Sequence, residues 1–210
     1  MSSIISLDRR LYLDVNSFAR HSSFAHFFMK EYALYGGVTL LGIVGLIAYF
    51  RARKSSTPKR IVDRVLWTAA GTLIALGLNQ PLSHIVGRVR PYYALKGVEV
   101  LVPKANDFTF PSDHATVAGA MIVGLLMADV PMGIVVTILG LFLAFARVYV
   151  GAHYPGDVLG GLIFGGLVSF ALRPIGLAII SRVTEVIVKS KLRFFIYARG
   201  KSPVAEVAGS

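Results

Sequence analysis

The chain has 210 residues, enough for one domain, with 55% hydrophobic residues, only 16% charged residues and a mean hydropathy of +0.66. Soluble domains carry roughly 25% charged residues, so this balance excludes an ordinary soluble globule and points to a membrane protein. There is no cysteine, which excludes disulfides and thiolate metal sites, and in so apolar a chain the net charge of +11 reads as basic flanks of membrane spans rather than nucleic-acid binding.

The opening residues, MSSIISLDRRLYLDV, lack the apolar core and small-residue cleavage site of a signal peptide. Residues 10–30 place Arg20, His21, His26 and Lys30 among several phenylalanines and read as an interfacial segment. Ala33–Phe50 is a run of 18 residues without a charge, just long enough to cross about 30 Å of hydrocarbon at 1.5 Å per residue. A second span runs from Val65 to about Val86, a third from Ser112 to Asp129, and a fourth from Ile134 to Val150. The fifth, Val158–Leu172, is stopped by Arg173-Pro174. Residues 175–189 are apolar but interrupted by Arg182 and Glu185. They read as an interfacial amphipathic helix, a sixth span being the lesser option. The expected fold is all-α: a polytopic transmembrane helical bundle of about five spans plus interfacial amphipathic helices. It forms one domain over 1–210, with an N-terminal interfacial segment (1–32), a helical core that carries the site (33–173) and a basic C-terminal segment (174–210).

Charge sets the orientation. Residues 51–64 hold six basic residues and one acidic, and the tail after Leu172 holds seven basic and two acidic. The positive-inside rule puts both in the cytoplasm. An odd number of spans between the N-terminus and the tail satisfies both clusters, in agreement with five. The N-terminus, residues 87–111 and residues 150–157 then lie outside. No internal repeat is evident, which argues against an inverted-repeat transporter.

Three polar stretches fall on that outer face: GRVRPYY (87–93), FPSDHAT (110–116) and RVYVGAHYPGD (147–157). Singly, each has an ordinary reading. Arginines at span ends snorkel, PSD starts a helix with Ser112 or Asp113 as its cap, and HYPGD makes a turn. Those readings do not explain why Arg88, Arg90, Ser112, His114, Arg147, His153 and Asp157 share one face. The chemistry of such a set is phosphoryl transfer. Guanidinium groups match phosphate oxygens bidentately, and helix N-termini offer free N–H groups to an anion. One histidine can attack phosphorus while a second protonates the leaving oxygen. A carboxylate can fix the tautomer of the first. The arginines supply the positive charge, so no metal or cofactor is expected.

As a set, Arg90-Pro91, PSDH at 111–114 and the Arg147, His153, Asp157 spacing resemble the three signature motifs of the type-2 phosphatidic acid phosphatase superfamily. The stretches LVPKANDFTFPSDH and HYPGDVLGGL are most similar to its bacterial undecaprenyl-pyrophosphate phosphatase branch. The resemblance covers about 80 residues, from the outer end of the second span to the fifth. It implies His153 as nucleophile, Asp157 as its orienting partner and His114 as general acid. It also implies Arg90, Arg147 and Ser112 as phosphate ligands. Three positions depart from the usual pattern. Ser83 stands where the first motif begins with Lys, a charge that Arg88 is expected to replace at the phosphate. Asp113 stands for Gly and is expected to turn away, toward a capping position. Ala146 stands for Ser.

The implied enzyme is a membrane lipid-phosphate phosphatase, turning undecaprenyl pyrophosphate into the monophosphate through a phosphohistidine. Its partners are a polyprenyl or other phospholipid substrate and membrane lipid, and its place is the outer face of the bacterial cytoplasmic membrane. Within enzymes the rival is a phosphatidic acid or phosphatidylglycerophosphate phosphatase. A lipid or phosphate transporter is the rival from another class, but it needs polar groups at mid-depth. The spans offer only Thr39, Thr72, Asn79, Thr137 and Ser169. Tyr92, Tyr93, Phe108 and Phe110 suit an interface beside the site. Gly156, Gly160, Gly161 and Gly165 form small-xxx-small pairs for helix packing.

Overall fold

The computed structural model describes residues 2–198 and Gly200. Prolines and glycines punctuate it. The first helix, α1, is Ser2–His21; a 3₁₀ turn (Ser23–Ala25), α2 (His26–Glu31) and a π turn (Tyr32–Gly36) lead into α3 (Gly37–Ala52). Helix α4 (Pro58–Val86) opens on a proline, whose missing N–H costs nothing in a first turn. It ends at Gly87, whose φ of 62° suits a residue without Cβ and whose N–H closes on the Ser83 carbonyl at 2.9 Å. A short α5 (Pro91–Ala94) follows, then a loop, then α6 (Asp113–Leu126). Asp129 caps α7 (Val130–Tyr149) by accepting the Met132 N–H. Helix α8 (Pro155–Ala171) and α9 (Arg173–Val188) meet at a bend of 56°, where Pro174 breaks the ladder.

The fold is an all-α membrane bundle, with no strand among the described residues. The span count differs in detail from the expectation. Among the described residues, three segments are long and apolar enough to cross a bilayer: 23–52, 58–94 and 130–149. The bent pair α8–α9, counted as one broken span, makes a fourth. The expected third span, Ser112–Asp129, is helical only over the 14 residues of α6, because Met127 and Ala128 already turn toward α7. Large apolar side chains such as Leu46, Leu73, Ile138, Leu167 and Phe170 are exposed along the helix flanks, as lipid contact requires. The segment 175–189 forms α9, which lies along the start of α4. Thr184 Oγ1 donates to Asp63 at 2.7 Å, and Lys59 bridges Asp63 and Ser181. The basic residues 199 and 201 lie outside the described residues.

At the centre α6 packs against α8, α7 and α4, most closely against α8. Small residues permit it: a Cβ on Gly119 would lie 2.1 Å from the Leu162 carbonyl oxygen. Helix α1 crosses the end of the bundle where α8 begins. Its polar stripe faces the protein. Tyr12 donates to the Gly151 carbonyl, Asn16 pairs with both backbone groups of Glu99, and Ser22 meets Tyr149. Ile5, Leu7, Leu11 and Phe18 face outward, the arrangement of a helix lying in the membrane interface.

Candidate active site

His153 sits in the turn between α7 and α8 and is 2% exposed. The turn depends on Gly151, at φ 81°, where a Cβ would lie 2.3 Å from the Glu99 carbonyl oxygen. His153 Nε2 lies 3.4 Å from Arg90 Nη1 and 3.4 Å from Arg147 Nη2. A guanidinium only donates, so Nε2 carries the lone pair and the proton is on Nδ1. Nδ1 accordingly donates to the Thr109 carbonyl at 2.9 Å. Burial, then the charges of Arg147 and Arg90, hold the His153 pKa well below its usual 6.5. The imidazole is therefore neutral, its free lone pair aimed at the arginines.

Those arginines come from different elements. Arg90 ends the link after α4; its Nε donates to Asp107 at 2.7 Å and its Nη1 to the Ala152 carbonyl at 3.1 Å. Arg90 and burial act in opposite directions on Asp107, and the balance lowers its pKa. Arg147 stands in the last turn of α7, and its Nη1 donates at 3.1 Å to Ala33, a carbonyl of the π turn. His114 stands in the first turn of α6. Arg90, Arg147, His114 and His153 line one cavity of about 230 Å³. Ser83, His84, Asp107 and Asp113 are among its other walls.

Four expectations change. Asp157 does not touch His153 directly: its Oδ2 is 3.9 Å from Nδ1. That oxygen instead accepts the Thr109 hydroxyl at 2.7 Å and the Tyr154 N–H at 2.8 Å, and Thr109 Oγ1 is 3.1 Å from Nδ1. Thr109 stands between carboxylate and imidazole. Arg88 does not replace the missing motif charge at the cavity. It stacks on Tyr154 at 4.1 Å and pairs with Asp157 at 2.7 Å and with Asp8. Ser112 is not on the cavity wall either. It is the buried N-cap residue of α6, its N–H donates to the Asp157 carbonyl at 3.1 Å, and its hydroxyl has no partner. Asp113 turns toward α4 rather than capping: Asn79 Nδ2 donates to it at 2.6 Å and Gln80 Nε2 at 3.2 Å.

Thr109 and Asp8 escaped the sequence reading. Thr109 works partly through its backbone carbonyl, which leaves no mark in sequence. Asp8 lies far from every motif, and only the fold brings it to Arg88.

Paired guanidinium groups facing a neutral histidine and a second histidine, at one end of a helical membrane bundle, define an integral membrane phosphatase, a hydrolase. The comparisons agree, and the chain belongs to the PAP2 superfamily, whose family model matches residues 64–180. Over 143 residues it is 32% identical to the undecaprenyl-diphosphatase BcrC of Bacillus subtilis (strain 168), an alignment that covers 68% of this chain and 69% of that protein. A crystal structure of a transmembrane PAP2-type phosphatidylglycerolphosphate phosphatase from Bacillus subtilis has a TM-score of 0.57 at 22% identity, covering 85% of this chain and 89% of the other. LpxE from Aquifex aeolicus has a TM-score of 0.56 at 23% identity, covering 80% and 93%. These two structures share the fold.

Proposed function

We propose that this phosphatase hydrolyses undecaprenyl pyrophosphate to the monophosphate and inorganic phosphate, through a phosphohistidine on His153, at the outer face of the bacterial cytoplasmic membrane. The observation that carries the reading is the His153 Nε2 lone pair set 3.4 Å from both arginines in one cavity. Arg90 and Arg147 would take the oxygens of the terminal phosphate. Nε2 attacks phosphorus, and the bond to the bridging oxygen breaks. The electron pair leaves with the lipid monophosphate, which His114 protonates. The new positive charge on the imidazole is shared through Nδ1–H with the Thr109 carbonyl and, beyond it, Asp157. Water then attacks phosphorus, His114 takes back a proton, and the N–P bond breaks to release phosphate. The arginines hold the charge of both transition states.

The identity to an undecaprenyl-diphosphatase supports the polyprenyl substrate. Orientation is supported by α4, whose basic residues Lys59, Arg60 and Arg64 lie roughly 28–36 Å along the helix from Ser83 at the cavity. The test is phosphate release by purified protein from undecaprenyl pyrophosphate, undecaprenyl phosphate, phosphatidylglycerophosphate and phosphatidic acid. Acid-labile phosphoprotein is trapped in parallel. The highest kcat/KM should fall on the pyrophosphate, and His153→Ala should give neither turnover nor phosphoprotein. A preference for a glycerophospholipid would overturn the substrate; turnover by a folded His153→Ala protein would overturn the nucleophile.

A further inference from the structure

We infer that Asp8 and Arg88 are positioning residues of the catalytic site, linking the N-terminal helix to Asp157 and through Thr109 to His153. The inference rests on the reading of His153 as nucleophile.

The chain of contacts is continuous. Asp8, on α1, takes the Gly156 N–H on Oδ1 at 2.7 Å and a guanidinium N–H of Arg88 on Oδ2. The other arm of Arg88 donates to Asp157 Oδ1 at 2.7 Å. Asp157 Oδ2 receives the Thr109 hydroxyl, and Thr109 holds His153 Nδ1. Each link has a physical reason. Asp157 is fully buried, and a buried carboxylate needs a cation or a full set of donors. Its Oδ2 has two neutral donors, and Arg88 supplies the charge at Oδ1. Arg88 in turn is fixed on three sides, by the Tyr154 ring beneath it and by one carboxylate at each end of its planar fork. A lysine cannot reproduce that bridging. Asp8 also sits at the N-terminus of α8, where backbone N–H groups and the helix dipole favour an anion. Gly156 admits it: a Cβ there would lie 3.1 Å from Asp8 Oδ2.

Neither Asp8 nor Arg88 lines the cavity that holds His153; both stand on the wall of a separate, largely apolar groove of about 950 Å³. Asp8 also lies outside residues 64–180, the stretch matched by the family model. The structure thus ties an element outside that stretch to the carboxylate behind the nucleophile. Helix α1 does not depend on Asp8 for docking. Tyr12, Asn16 and Ser22 anchor it independently, so the effect of the Asp8 charge can be separated from the presence of the helix.

The experiment measures kcat, KM and the thermal unfolding midpoint for Asp8→Asn, Asp8→Glu, Arg88→Lys, Asn16→Ala and His153→Ala. Misplacing a catalytic group by about 1 Å can cost about 10²-fold in rate. Asp8→Asn and Arg88→Lys should lower kcat by ten- to a hundredfold with KM within twofold. Asp8→Glu should recover most of the loss. Asn16→Ala loosens α1 without touching the chain to Asp157; it should lower the midpoint and leave kcat within twofold. Wild-type kcat in Asp8→Asn overturns the proposal. So does a kcat loss in Asn16→Ala equal to that of Asp8→Asn, because docking of α1 alone would then suffice. An active His153→Ala protein removes the underlying nucleophile instead, a result distinct from both.

Discussion

Replacing Gly165 with alanine adds one methyl group where α8 crosses the backbone of α6. The new Cβ would lie 2.0 Å from the Thr116 carbonyl oxygen and 2.9 Å from the Ala120 nitrogen. Reaching the 3.4 Å of ordinary contact from 2.0 Å requires α6 and α8 to part by about 1.4 Å. Both neighbours are backbone, so no side chain can swing aside. Overpacking of this kind costs about 1–3 kcal/mol. For a chain of this size, each kcal/mol lowers the unfolding midpoint by roughly 2–4 °C. The same opening reaches the site, because α6 carries His114, α8 carries Asp157, and the Ser112 N–H to Asp157 carbonyl bond joins their ends at 3.1 Å. A shift on the order of 1 Å at the reacting groups can lower turnover by about 10²-fold. The assay is thermal unfolding in detergent beside steady-state phosphate release. Gly77→Ala is the control, since nothing lies within 4 Å of its Cβ position and helix propensity improves there by up to about 1 kcal/mol. A Gly165→Ala protein with the wild-type midpoint and turnover would refute the reasoning.

His114→Ala should damage lipid monophosphate cleavage most, pyrophosphate cleavage less and an activated aryl phosphate least, because demand for a general acid falls as the leaving group becomes more acidic. Equal losses across the three substrates would remove its acid role. With the His153 pKa held well below 6.5, kcat/KM on an aryl phosphate should stay flat from pH 7.5 to about 5.5; a fall centred near 6.5 would contradict the buried neutral imidazole. Stability has the opposite sensitivity to acid: below pH 6.5 the unfolded chain binds a proton that folded His153 refuses, so the folded state loses ground as pH falls. For the proposed orientation, cysteine placed at Lys104 should react with an impermeant thiol reagent in intact cells, and cysteine at Ser56 should not. The reversed pattern would invert the topology.

Helix ends were legible where a run of apolar residues meets a glycine or proline, as at Gly87 and near Pro155, whereas α4 begins at Pro58, ahead of the expected Val65, because its first turns are basic rather than apolar. The ends of α6 and α9 were less so. Apolar content continues through Met127 and Ala128 although the helix stops, and residues 175–189 carry too few charges to show that the helix follows α4 at a bend. At the site, the sequence reading singled out both histidines and Arg90 and Arg147, because spacing and span ends put them on one face, and the fold gathers them around one cavity. Arg88 misled, because a cation beside a phosphate motif looks the same whether it faces the phosphate or a carboxylate behind it. Asp157 was expected directly against His153, but Thr109 comes from a loop without periodicity and slips between them.

The π turn at Tyr32–Gly36 makes the length of this N-terminal segment matter to catalysis. An α-helix advances about 100° per residue, and a π turn holds one residue more than an α turn. The Ala33 carbonyl that accepts Arg147 belongs to this widened turn. Deleting any one residue of Tyr32–Gly36 would leave the hydropathy of the segment almost unchanged and let a regular helix form. It would also withdraw the acceptor from Arg147. A length change invisible to a hydropathy profile would then cut the tether of Arg147, so natural variation in this segment should occur by substitution rather than by insertion or deletion.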